Sequence, residues 1–410
     1  MASASAVTIS PIGRAWARFD GPGRLVGVDL ARGLAVLGML AAHLLDTERR
    51  LTLDPETWVT LVNGRSSILF ATLAGVSIAI VTGGSRPIGP ERRPRAAARL
   101  ALRGAMLWII GMLLVATGVP VYVILPAYAL LFVLALPFLG MRARGLFVAA
   151  GVLALVMPWI QPVLDAAPIW AGRAGAEISA AVGWNYPFTV WIAFLLAGMG
   201  VGRLDLRRLD VQAALVTAGG ALLLAGYGAA LATAPAVAGR PYLSTVLTAE
   251  DHSSGLWEVI GSGGFALATI GVCLLLCRTP LRWVAVPLRA VGSMPLTAYV
   301  LQLVVWALVA LALLGDTGDL YGIREAGLFL PLTLGLIAGC TVWALTLGRG
   351  PLEWLIDLVV RLVVGRDAVD AGGPRIAVGG VAGPRSGDGS GGPGAGSGSG
   401  SGSGGVGGPR

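Results

Sequence analysis

The stretch DLARGLAVLGMLAAHL, residues 29–44, decides the fold. It is apolar over most of a membrane crossing, yet it holds Asp29 and Arg32 near one end and His43 at the other. His43 is one of only two histidines in the chain. A helix needs about 20 mostly apolar residues to cross the hydrocarbon. Ionisable groups inside such a helix usually face a bundle interior or a water-filled cavity. The stretch therefore predicts other helices packed around it.

The rest of the 410 residues agrees. The chain is 55% hydrophobic and 13% charged, against roughly 25% charged in soluble domains. This predicts an all-α, polytopic transmembrane bundle in the cell membrane. Ten spans are expected, at about 27–45, 66–83, 100–118, 121–139, 146–164, 188–202, 211–233, 256–277, 292–314 and 328–347. The first run has a basic flank, as a signal peptide has. Its length and internal ionisable groups favour a retained signal-anchor helix.

The net charge is +8, and every basic residue is arginine. The arginines gather in alternate loops. Arg14, Arg18 and Arg24 precede the first span, and Arg86 to Arg103 follow the second. Arg142 and Arg144 follow the fourth, Arg203 to Arg208 the sixth, and Arg278 to Arg289 the eighth. The intervening loops are neutral or acidic. Such alternation reads as membrane orientation rather than nucleic-acid binding. It predicts both termini in the cytoplasm and His43 near the outer surface. Residues 1–25 are expected to form a cytoplasmic tail and 26–365 the membrane domain. Residues 366–410, rich in Gly, Ser and Pro, read as a flexible tail. PLEWLIDLVVRL, residues 351–362, has the pattern of a short amphipathic helix on the inner membrane face. No repeat of 20–50 residues is seen.

Cys273, Cys277 and Cys340 lie in apolar runs without histidine partners. They read as small buried residues, and no metal site is expected.

Several residues could carry chemistry. Arg32 and His43 nearly share a helix face, roughly 16 Å apart. Asp29 precedes Arg32 by three residues and can pair with it. The pair reads either as an anchor at the inner interface or as a contact for an anionic ligand. His43 reads either as a general base or as an interfacial residue bonded to a loop. His252, in TAEDHSSGLWEVIGSGG (248–264), falls on the same membrane side as His43, where Asp251 could orient it. NGRSS (63–67) opens the second span. There Ser66 or Asn63 could cap the helix, and Arg65 could hold an oxyanion or snorkel to the interface. Gln302 inside the ninth span needs a partner, from another helix or from a ligand. Tyr128 reads as packing.

Together these residues resemble a known family. RLVGVDLARGLAVLGMLAAHL (24–44), with Arg24, Asp29, Arg32 and Gly33, resembles the first helix of membrane acyltransferases of the heparan-alpha-glucosaminide N-acetyltransferase type. NGRSSILFATLAGVSIAI (63–80) and VILPAYALLFVLALPFL (123–139) are similar to two further helices of that family. GSMPLTAYVLQLVV (292–305) and RGPLEWLIDLVVRL (349–362) resemble a bacterial family known as domain of unknown function 418. The resemblance implies transfer of an acyl group, with acetyl-coenzyme A as donor, from the cytoplasm to a hydroxyl or amine of a glycan-like acceptor outside. Asp29 and Arg32 would carry over as the family's signature pair and contact the substrate. The residues themselves make His43, assisted by His252, the catalytic candidates and Asn63, Arg65 and Gln302 substrate-binding candidates, with membrane lipid as the surroundings. One departure stands out. Well-studied eukaryotic members carry their histidine in the loop after the first helix, and residues 45–64 contain none. His43 instead ends the first helix, as the catalytic histidine does in another membrane acyltransferase group. A transporter or flippase for a polar or lipid-linked solute is the alternative the same polar groups allow.

Overall fold

The computed structural model describes residues 11–46 and 55–365. The tail of residues 366–410 lies outside the described residues. Seventeen α-helices occur among the described residues. They are α1 (Pro11–Phe19), α2 (Val26–Leu44), α3 (Arg65–Val81), α4 (Arg93–Val115), α5 (Leu125–Leu134) and α6 (Ala143–Asp165). Next come α7 (Gly172–Val182), α8 (Phe188–Gly202), α9 (Leu209–Val237), α10 (Pro241–Val246), α11 (Leu256–Leu276) and α12 (Leu281–Val284). The last five are α13 (Val286–Ser293), α14 (Pro295–Leu314), α15 (Leu320–Glu325), α16 (Phe329–Thr346) and α17 (Pro351–Val364).

Eight helical stretches are long and apolar enough to cross a membrane, and α5 and α8 are shorter apolar helices that complete the ten expected segments. The span expected at 121–139 is not one continuous helix. It is α5 followed by a 3₁₀ turn at Leu136–Phe138. Proline explains both ends: Pro126 fits the first turn of α5, and Pro137 removes a donor and stops the α-helix.

The helices form a centre and a perimeter. α2 and α3 are largely buried, whereas α6, α9 and α16 are largely exposed. Exposed residues on the perimeter are big and apolar, such as Leu224 and Leu231 on α9 and Val163 on α6. Water would oppose so large an apolar surface, whereas lipid accepts it.

α2 packs against α3, α11, α13, α14 and α16. Its contact with α13 is backbone to backbone. A methyl at Gly33 would overlap the Leu288 carbonyl, and one at Gly292 would overlap the Asp29 carbonyl oxygen. Small residues allow such approach in membrane helix pairs. Residues 11–19, expected as part of a tail, instead form α1. The Asp20 carboxylate just beyond it accepts from Arg282 (2.9 Å) and from the fully buried Arg289. Trp16 stacks on Trp283. α17 carries an apolar face and three charged residues, Glu353, Asp357 and Arg361, as its sequence suggested.

Candidate functional site

Two polar regions flank α2. At its start lies a cavity of about 680 Å³, bounded by α2, α3, α4, α5, α17 and the segment entering α14. Five arginines and three carboxylates line it, so an anion is favoured there. Asp29 is the hub. Its Oδ2 accepts from Arg24 Nε (2.9 Å) and Nη2 (2.8 Å), and its Oδ1 accepts from Arg32 Nη1 (3.0 Å). Arg32 Nη2 donates to Ser77 Oγ on α3 at 2.8 Å. The pairing of Asp29 with Arg32 was legible from their spacing; Arg24 and Ser77 were not legible as its partners.

The cavity mouth is organised by α17. Asp357 accepts from Arg103 (3.0 Å) and Arg349 (2.6 Å), with Arg361 at 3.5 Å. Burial alone would raise the Asp357 carboxyl, but these guanidinia hold it below the usual carboxylate range. Glu353 instead caps α14, accepting from the backbone N–H of Leu296 (2.8 Å) and Thr297 (3.1 Å). Deeper in, the wall is apolar except for Tyr128. Its ring packs against Phe70 (5.5 Å) and Phe132 (6.5 Å). The Tyr128 hydroxyl is buried, has no hydrogen-bond partner, and lies near Tyr186 and Tyr299.

At the other end of α2 is a histidine cluster. The His43 carbonyl accepts from Arg324 at 2.9 and 3.2 Å. The imidazole lies 6.4 Å from the Trp306 ring, centroid to centroid. His43 Nδ1 is buried without a partner, as are Trp306 Nε1 and both amide atoms of Gln302. His252 lies close enough to His43 for the two to interact electrostatically. Its ring meets Tyr186 edge-on at 5.8 Å. Burial lowers its pKa and keeps the imidazole neutral. His252 has φ 62° and Ser254 φ 55°, left-handed values uncommon for such residues. Glu258 holds this bend in place. Its carboxylate accepts from the backbone N–H of His252 (2.7 Å) and Ser254 (2.6 Å) and from Ser253 Oγ (3.1 Å).

The sequence pointed to other roles for several neighbours. Ser66 and Asn63 do not cap α3. Gly64, with φ 62°, occupies the N-cap and no side chain bonds there. Asn63 bonds the Asp251 side chain, and Asp251 pairs with Arg65 at 3.6 Å rather than with the His252 ring. Burial raises the Asp251 carboxyl, and Arg65 and Asn63 partly offset this. Arg65 Nε donates to Tyr227 Oη (2.7 Å) and Nη1 to the Thr60 carbonyl (3.0 Å). These contacts make Arg65 a tie between α3, α9 and the 251–255 loop. Trp306 and Tyr186 had not been singled out, because nothing along the chain ties them to His43 and His252, which are far away in sequence. Among the described residues, no group of three or more His, Cys, Asp or Glu side chains is arranged to hold a metal ion.

An all-helical, multi-pass membrane protein with a buried charge hub at one end of its central helix and a histidine cluster at the other is the class this geometry defines. Residues 24–242 match the family described as Heparan-alpha-glucosaminide N-acetyltransferase, catalytic. Residues 206–361 match the family described as Protein of unknown function (DUF418). The first match covers more than half of the chain, which belongs to the heparan-alpha-glucosaminide N-acetyltransferase catalytic family. No curated protein and no solved structure matches it.

Proposed function

We propose that this membrane acetyltransferase-family protein moves an acetyl group from acetyl-coenzyme A to a hydroxyl or amine of a glycan-like acceptor on the far side of the membrane. The observation that carries this reading is the arrangement along α2: an anion-favouring cavity at one end and two neighbouring histidines at the other. The arginine bias of alternate loops supports a cytoplasmic cavity and an outward-facing His43. Residues 26–365 act as one transferase unit.

The residues present suit such a donor. Arg24, Arg32, Arg103 and Arg349 present guanidinium groups to phosphate oxygens. The apolar depth between Phe70, Leu107 and Phe132 accepts an uncharged arm. When bound, the donor supplies an activated acyl carbon. His43 takes the proton of the acceptor as its nitrogen or oxygen attacks, and returns that proton to the departing sulfur. His252, buried and neutral against Tyr186, shapes the acceptor side. Asn63, Arg65 and Asp251 hold the loop that positions it.

The test is the full-length protein in nanodiscs with acetyl-coenzyme A. Mass spectrometry of envelope glycans and lipids, with and without the protein, reads the product as a gain of one acetyl group. His43→Ala should abolish this gain at normal membrane abundance. A His43→Ala protein with full activity removes His43 from the mechanism. Uptake of an unmodified solute by proteoliposomes would replace the transferase with a transporter.

A further inference from the structure

The buried face of α14 links the two ends of the site. Pro295 and Leu296 at its start line the cavity. Farther along the helix, Tyr299, Gln302 and Trp306 are all fully buried or nearly so on the side facing the core. A rise of 1.5 Å per residue puts Gln302 roughly 9 Å and Trp306 roughly 15 Å beyond Leu296. Tyr299 Oη accepts from the Ile124 N–H at 3.3 Å, so it is satisfied. Gln302 and Trp306 are not. The Gln302 amide has no partner for either atom, and neither has the Trp306 N–H. The two side chains are four residues apart and therefore stack on one helix face. Trp306 borders the His43 imidazole, whose Nδ1 also lacks a partner. Two N–H donors on one face of α14 and a base beside Trp306 thus have nothing in the protein to satisfy them. Buried polar groups in native proteins are otherwise almost always paired.

We propose that Gln302 and Trp306 donate the hydrogen bonds that hold the acyl carbonyl oxygen beside His43. This assignment rests on the acetyltransferase reading above and adds to it the groups that stabilise the negative oxygen. The acceptor's nitrogen or oxygen forms a bond to the acyl carbon, and negative charge grows on the carbonyl oxygen facing Gln302 Nε2 and Trp306 Nε1. The carbon–sulfur bond then breaks. The acceptor's proton passes through His43 to the sulfur, so the coenzyme leaves as a thiol and no redox partner is required. Donors fixed by a packed helix face do not have to reorganise as that charge develops. The Tyr128 hydroxyl, which lines the cavity and lies near Tyr299 of α14, is likewise buried without a partner.

The experiment compares full-length protein with Gln302→Leu and Trp306→Phe, variants that keep shape and remove one donor each. The first readout is the infrared carbonyl band of bound acetyl-coenzyme A labelled with carbon-13 at the carbonyl. The wild-type band should lie at lower wavenumber than in either variant. The second is steady-state kinetics. Each variant should lose about 10²–10³ in kcat, with KM for acetyl-coenzyme A within about twofold. Gln302→Leu should nevertheless unfold no more easily than wild type, because an apolar replacement removes an unpaired amide. An unchanged band with retained donor binding, or kcat within about threefold of wild type, overturns the assignment and leaves the transferase reading standing. Absence of acetyl-coenzyme A binding by the wild type overturns both.

Discussion

The spacing of Asp29 and Arg32 suggests one ion pair, but the structure makes them unequal. Asp29 has two guanidinium partners, Arg24 and Arg32. Its side chain is 5% exposed, Arg32's 19% and Arg24's 33%. Replacing Asp29 with Asn leaves two guanidinia facing each other across a neutral amide. Removing one side of a buried pair costs about 3–5 kcal/mol, and the partial exposure of Arg24 sets the lower end. Replacing Arg32 with Met leaves Asp29 still paired with Arg24 and Ser77 still bonded to the Leu73 carbonyl; it removes the two hydrogen bonds of the guanidinium, of which the one to Asp29 is worth about 1.5–3 kcal/mol. Asp29→Asn should therefore be the more destabilising variant, and Arg32→Met the one that mainly weakens donor binding. The three cysteines provide the assay. Cys273, Cys277 and Cys340 are free and buried, so a thiol-reactive dye added during denaturant titration in micelles reports unfolding. If Arg32→Met destabilises the fold as much as Asp29→Asn, the hub is not Asp29 and the reasoning fails.

Three further outcomes follow from the geometry. Gly292→Ala should cost about 1–3 kcal/mol in the same titration and lower acetyl-coenzyme A affinity, because the added methyl pushes α13 off the backbone of Asp29. Asp357→Asn should tighten acetyl-coenzyme A binding, measured by calorimetry at low salt, because it releases Arg103 and Arg349 from their internal anion. His252 is held neutral by burial, so its folded pKa lies below its unfolded value near 6.5. Its contribution to stability is fully present above that value and is lost as pH falls through it toward the folded pKa. Wild type should therefore lose stability below about pH 6.5 more steeply than His252→Asn, in which asparagine also tolerates the positive φ; equal pH slopes would contradict this.

Hydropathy made most of the fold legible, because each span must by itself be apolar over a fixed length. It failed at 121–139, where the average stays apolar across Pro137 although the helix does not. It also read α1 as tail, since nine residues carrying two arginines give no span signal. The α2 seam was legible because the partners Asp29 and Arg32 are neighbours on one helix. Cross-helix partners were not. Ser77 lies 45 residues from Arg32, and Trp306 lies far along the chain from His43. The Asn63 and Ser66 cap was a reasonable local reading that Gly64 displaced, because Asn63 bonds Asp251 instead. Asp357 read only as part of an amphipathic inner-face helix, and only the docking of α17 brings it and Arg349 into the wall of a cavity.

Two kinds of buried polar group around the central helices bear on function. Arg65, Glu258 and Glu353 each have several partners that tie separate elements together. Their hydrogen bonds offset their desolvation, so the fold alone accounts for them. His43 Nδ1, Tyr128 Oη, the Gln302 amide and Trp306 Nε1 have none. An unsatisfied buried group costs about 1–3 kcal/mol, so this set together is a large burden on a stability of about 5–15 kcal/mol. Leucine, phenylalanine or methionine at these positions would remove the burden without changing the packing. Packing therefore does not explain the polar residues. The proposed substrates, which bring a carbonyl, a hydroxyl or an amine, would satisfy them. These unpaired groups run from the cavity wall at Tyr128, past Tyr299, to His43, the direction that the proposed acyl transfer requires.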